Sequence, residues 1–223
     1  MKIKKLTIYT SKVKRQLQFY RDELNFQVRD YDETSFELLT GYSILRFEYR
    51  ENAKPYHIAF HIPDNQEEEA LRWIENERSA LPNNNQKIID FSNWGAKSVY
   101  FYDEDKNIME LISRRDFSKP KSAIFSADSI VGVAEIGLAT VNIQEKFKKM
   151  QTECGLVKFD GDLERFCAVG EASGLIITIN KNEKVWFPTG DKAFSADFIL
   201  EFEYDQTGYS MSFKEDQLEI SKK

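Results

Sequence analysis

Hydrophobic and polar residues alternate from the start of the chain. Leu6 and Ile8 fall on one face of the segment Lys2 to Thr10, with Lys5, Thr7 and Tyr9 on the other, which is the period of a half-buried strand. The period then changes. Behind Ser11, read as an N-cap, Val13, Leu17, Tyr20 and Leu24 recur at helical spacing, and the run ends at Asn25, a residue that tolerates the left-handed conformation past a helix. Three short strands follow at Phe26 to Arg29, Ser35 to Leu39 and Ile44 to Tyr49, so the first unit reads βαβββ.

The order then repeats. In "YHIAFHIP", Ile58, Phe60 and Ile62 alternate against His57, Ala59 and His61; Asp64 with Glu67 reads as a capping box for a helix carrying Leu71, Ile74 and Leu81. Strands near Ile88, Val99 to Tyr102 and Ile108 to Ile112 complete a second unit. A longer repeat reinforces the pattern, because a shift of 130 residues aligns Lys5 to Phe47 with Glu135 to Ile177 without a gap. Asn25 then falls on Gly155, the two residue types suited to a left-handed helix exit. After Trp186 the rule breaks: a strand alternating Phe198, Leu200 and Phe202 turns at "DQTG" straight into another strand, so the fourth unit has lost its helix.

Composition narrows the class. The 41% hydrophobic content is that of a globular chain, no apolar run approaches the length of a membrane span, and "MKIKKLTIYT" enters the first strand without a signal-peptide core, so a cytoplasmic protein with no membrane partner is expected. A net charge of −6 with dispersed basic residues argues against nucleic acid. Cys154 and Cys167 read as small buried thiols. Both histidines, His57 and His61, sit on one strand, where four-residue spacing separates them by about 13 Å, too far to share an ion.

Five stretches, "KKLTIYTSKVKRQLQFYRDELNF", "YHIAFHIPD", "DEDKNIMEL", "VAEIGLAT" and "VWFPTGDKAF", together with the repeated unit order, resemble the vicinal oxygen chelate superfamily of glyoxalases, bleomycin-resistance proteins and extradiol dioxygenases. The resemblance implies an α+β fold of tandem βαβββ modules forming cupped mixed sheets with helices outside. It implies a complete two-module domain over 1–117, a linker over 118–129, and a reduced second domain over 130–223. Members of the superfamily place metal ligands on the first and last strand of each module, and those positions in the first half are Lys5, Arg46, His57 and Glu110.

His57 and Glu110 keep ligand chemistry, whereas an ammonium and a guanidinium repel a cation. The expectation is therefore a binding protein for a small anionic molecule, lined by Lys5, Tyr9, Arg46, His57, His61, Tyr100 and Glu110, with no cofactor. In it, Lys5 pairs with Glu110 and Arg46 receives the anion. The alternative is a metal-dependent lyase, isomerase or ring-cleaving dioxygenase using iron, manganese, nickel or zinc at His57 and Glu110, with Glu110 as its catalytic proton carrier. The second half offers Glu135, Ile176, Asp197 and Glu219 at the matching points; its three carboxylates have the oxygen chemistry to hold a hard cation, but they read more simply as solvent-exposed acids at a domain opening. Either a monomer or a homodimer fits.

Overall fold

A computed structural model describes all of residues 1–223. The first unit is β1 (Lys2–Thr10), α1 (Val13–Gln18) running into a π-helical turn (Phe19–Glu23), β2 (Val28–Tyr31), β3 (Ser35–Thr40) and β4 (Ser43–Tyr49). A second follows as β5 (His57–Ile62), α2 (Glu67–Glu75), β6 (Ile89–Phe91), β7 (Ala96–Tyr102) and β8 (Ile108–Arg114). The third is β9 (Gly132–Thr140), α3 (Ile143–Cys154), β10 (Lys158–Gly161), β11 (Phe166–Glu171) and β12 (Gly174–Asn180). A small hairpin, β13 (Val185–Trp186) and β14 (Asp191–Lys192), leads to the helix-free fourth unit, β15 (Phe198–Tyr204), β16 (Thr207–Lys214) and β17 (Gln217–Lys222). No helix is long and apolar enough to cross a membrane.

Helix faces and exits follow from the sequence. Val13, Leu17, Tyr20 and Leu24 are all buried, and Asn25 and Gly155 both leave their helices with positive φ (58° and 73°). Two caps differ from expectation. Asp64 spends its carboxylate on the Asp116 N–H instead of starting α2, and Lys12 rather than Ser11 precedes α1, with the Thr10 hydroxyl accepting from the Lys12 N–H. In α3, by contrast, Asn142 caps the Glu145 N–H at 3.0 Å.

Sheet topology departs from the expected pairing of neighbours. One sheet runs β17-β16-β15-β1-β4-β3-β2, joining units one and four; the other runs β10-β11-β12-β9-β5-β8-β7-β6, joining units two and three. A single cluster of 46 buried side chains draws on all four units, so the segment 118–129 does not separate two cores. Within that segment Phe125 is itself buried, against Trp73. Each fully buried Phe or Leu of the cluster contributes about 2–3 kcal/mol, which ties the two halves together strongly. Physically, alternation along a strand states which face is buried but not which edge it pairs with.

The duplication is visible in a shared irregularity. Pairing of β1 with β15 shifts between Ile3 and Lys5, and pairing of β5 with β9 skips Ala134, which lies 130 residues beyond Lys4. Each bulge lets Ile3 and Leu6, or Val133 and Ile136, both face the core while Lys5 or Glu135 turns to the opposite, concave face. The gapless alignment fails later: the turn between β10 and β11 is one residue longer than that between β2 and β3, so Arg46 corresponds to Ile177 rather than Ile176. Loss of the fourth helix has a topological result. A parallel neighbour needs a crossover, so β16 returns as an antiparallel hairpin where β8 lies parallel to β5.

Candidate functional site

Three adjacent strands of the second sheet bring their polar side chains to one point. Ala59 on β5 stands opposite Glu110 of the parallel β8 on one side and opposite Glu135 of the antiparallel β9 on the other. Its methyl group leaves room above the sheet, and His57, two residues back on the same face, completes the group. The ligand-type atoms of His57, Glu110 and Glu135 all lie within 4.8 Å of one another, and all three residues are buried.

Further side chains orient these. Ser98 Oγ donates to Glu110 Oε1 at 2.5 Å, and His57 Nε2 lies 3.3 Å from Glu110 Oε2. Arg114, only 3% exposed, donates from Nη2 to Glu135 Oε1 at 2.6 Å. Burial, and then the neighbouring Glu110 carboxylate, push the proton affinity of Glu135 up to about 7, with Arg114 and His57 opposing. Burial likewise raises the Tyr100 phenol well above its ordinary value, with Glu110 adding to the shift. Two buried carboxylates thus share one guanidinium and one imidazole.

The residue set fits a divalent cation. One imidazole and two carboxylates are borderline-to-hard donors suited to iron, manganese, nickel or zinc, and they are close enough for ligation at about 2.1 Å after side-chain adjustment. The buried Nδ1 of His57 has no hydrogen-bond partner, so its other nitrogen is held only by aromatic stacking and by Glu110. Trp186 stacks on the imidazole at 5.2 Å and 22°, and Tyr100 flanks it at 6.3 Å. Gly137 makes room for that stacking, since a Cβ there would stand 2.6 Å from the Trp186 ring and 3.1 Å from the His57 Cβ.

Above the three donors opens a cavity of about 170 Å³, walled by Trp94, Phe166, Ile177, Trp186 and Phe187, with Lys184 also on its lining. The fourth ligand-type position is the apolar Ile177. Hairpin β13–β14 forms one side, tied to β7 by the Tyr102 hydroxyl donating to Asp191.

Of the residues singled out in the sequence, His57, Tyr100 and Glu110 meet here. Lys5, Tyr9 and Arg46 do not, because unit one pairs with unit four. Lys5 binds Glu37 at 2.6 Å, not Glu110, and Arg46 is engaged by Glu48 (2.6 Å), Glu37 (3.2 Å) and Ser35 (3.1 Å). Tyr9 lies under the Arg50 guanidinium, 3.3 Å from its ring centre. His61 stands at the far end of β5 against Phe117 and the Ser173 carbonyl; burial and then Arg114 lower its pKa to about 3.

Glu135 was expected among exposed acids and is instead 3% exposed at the centre of the site. Of its expected companions, Glu219 lies on β17 of the other sheet, and Asp197 stands just before β15 of that sheet, where it holds Arg50. Strand pairing makes Ile199, not Asp197, the counterpart of His57, so the first sheet carries no equivalent donor set. The signal for Glu135 was the 130-residue repeat; Ser98, Arg114 and Lys184 had none.

At the level of sequence, no protein-family model and no curated protein matches the chain. Solved structures do resemble it. A putative dioxygenase from Bacillus subtilis subsp. subtilis str. 168 is similar over 100% of this chain and 84% of its own, at 12% identity and a TM-score of 0.61. A lactoylglutathione lyase from Agrobacterium tumefaciens is similar over 50% of this chain and 92% of its own, at 19% identity and a TM-score of 0.43. A glyoxalase/bleomycin resistance protein/dioxygenase from Nocardioides is similar over 55% and 89%, at 13% identity and a TM-score of 0.41.

Proposed function

We propose that this chain, which has the fold of the glyoxalase/bleomycin resistance/dioxygenase proteins, is a metal-dependent enzyme acting on a small molecule of about one ring in size. The observation that carries the reading is the meeting of His57, Glu110 and Glu135 at the closed end of an aromatic-walled cavity. These three would hold a divalent ion of the iron, manganese, nickel or zinc type, which when bound supplies Lewis-acid polarisation of a substrate oxygen. The reason for expecting a lost metal site was Lys5 and Arg46, and both belong to the other sheet.

The chain's own residues have definable parts. Ser98 and Arg114 each fix one carboxylate, leaving the other oxygens to face the cavity. Trp186 and Phe187 keep water from the imidazole and from bound substrate. A carboxylate oxygen of Glu110 or Glu135 that the ion does not take can accept or return a proton on a substrate carbon or oxygen held above it. That assignment suits a lyase, an isomerase or a ring-cleaving dioxygenase. One observation favours a second reading, binding without chemistry: Arg114 already neutralises one of the two carboxylates.

Metal analysis separates the two. After incubation with manganese, iron(II), nickel or zinc and desalting, the wild type should retain about one ion per chain, and His57→Ala and Glu135→Ala should each retain almost none. No retention by the wild type would sink the enzyme reading and leave the binding one. Both sheets are completed within a single chain, so sedimentation as a monomer is expected.

A further inference from the structure

Lys184 is the one cationic side chain on the lining of the cavity, and it has no carboxylate partner anywhere in the structure. Most other cations here are engaged: Lys181 lies against Asp216, Arg165 against Glu183, and Lys87 against Glu75. The Nζ of Lys184 instead lies 5.1 Å over the face of Phe166, itself a wall of the cavity, so the charge sits at the aromatic rim and not out in solvent. Glu110 and Glu135 lie on the lining too, with the imidazole of His57. Ionisable groups are therefore arranged along the cavity: two acidic side chains at the floor, aromatic surface between, and a free ammonium just before β13.

Resting on the reading of this site as a small-molecule site, we propose that its ligand is a flat, ring-sized carboxylate whose anionic end is held by Lys184. Size supports a single ring, since a dry apolar cavity of roughly 150 Å³ is enough to take benzene. A flat ring suits the walls, because Trp94, Tyr100, Phe166, Trp186 and Phe187 all line the cavity and offer ring faces and edges for stacking. Orientation follows from charge. In the metal-free chain a carboxylate directed to the floor would face Glu110 and Glu135, whereas turned the other way it meets the unpaired ammonium and leaves neutral oxygens or hydroxyls for the floor. Lys184 would thus determine which ring compounds enter, without touching the reacting atoms.

The test uses benzoate and its neutral isostere benzamide as probes, titrated into the full chain and followed by calorimetry and by quenching of the cavity tryptophans. Benzoate should bind about tenfold more tightly than benzamide. Lys184→Gln should abolish that preference while leaving benzamide affinity unchanged, and Lys184→Arg should keep it. Lys184 is half-buried on a turn, so these variants are expected to fold. Equal binding of the two probes by the wild type, a preference that survives Lys184→Gln, or no binding of either probe would each overturn the inference. The titrations are made with a chelator present, so that no ion on the floor draws the probe's carboxylate; metal retention is measured separately, and absence of a retained ion counts only against the enzyme reading.

Discussion

Replacing Glu135 by glutamine tests the electrostatics of the site through stability alone. In the unfolded chain its carboxyl ionises near 4.5; in the folded protein, burial and Glu110 hold the proton until about pH 7. Between those values the native state binds one proton more than the unfolded state, so this group's stabilising contribution is full below pH 4.5. It is lost as pH rises toward 7, and nothing more is lost above. At about 1.4 kcal/mol per pH unit, the wild type should lose about 2–3 kcal/mol between pH 5 and pH 8 through this residue. Glutamine has no such proton. It weakens the bond from Arg114, but that penalty is the same at both pH values. Urea unfolding of both proteins at pH 5 and pH 8, with a chelator present, should therefore show the stability difference shifting by about 2–3 kcal/mol in favour of Glu135→Gln at the higher pH. A difference that does not move with pH would refute the argument that Glu135 is ionised at a cost in the metal-free site. Excess manganese at pH 8 should restore the wild type and leave Glu135→Gln nearly unchanged.

His61 gives the opposite sign: its pKa is depressed to about 3, so stability is full above pH 6.5 and falls as the solution is acidified. His61→Gln should lose about 2 kcal/mol less than the wild type between pH 7 and pH 5 by urea unfolding. Gly137→Ala places a methyl 2.6 Å from Trp186, and should cost about 1–3 kcal/mol and shift tryptophan emission to the red; unchanged stability and emission would mean the ring is not packed there. Arg46→Met, on the other sheet, should leave metal retention at the wild-type level, and a fall would put Arg46 back among the residues of the site.

Much of this architecture is local and could be read along the chain. Alternation around Leu6 and Ile58, the helical spacing from Val13 to Leu24, the exits at Asn25 and Gly155, and the direct turn at "DQTG" each depend on residues close in sequence, so short-range sterics and periodicity specify them. His57 and Glu110 were legible as cavity-facing for the same reason. Glu135 was visible as an acidic position beside Asp197 and Glu219, but not as the companion of His57 and Glu110. Its role depends on β9 pairing with β5, and strands β1 and β5 carry the same alternation and so the same invitation to a neighbour. A one-residue insertion before β11 moved Ile176 out of the cavity and Ile177 into it, a change of face that no hydrophobic count detects. The charge of Lys5 and Arg46 was read correctly and its location wrongly, because a side chain's face belongs to its own strand whereas its companions belong to the sheet. Residues close in sequence fix the units, their faces and the inward direction of His57 and Glu110; strand pairing across the fold settles which units meet, and with that the place of Glu135, the aromatic cover and the free ammonium on the cavity wall.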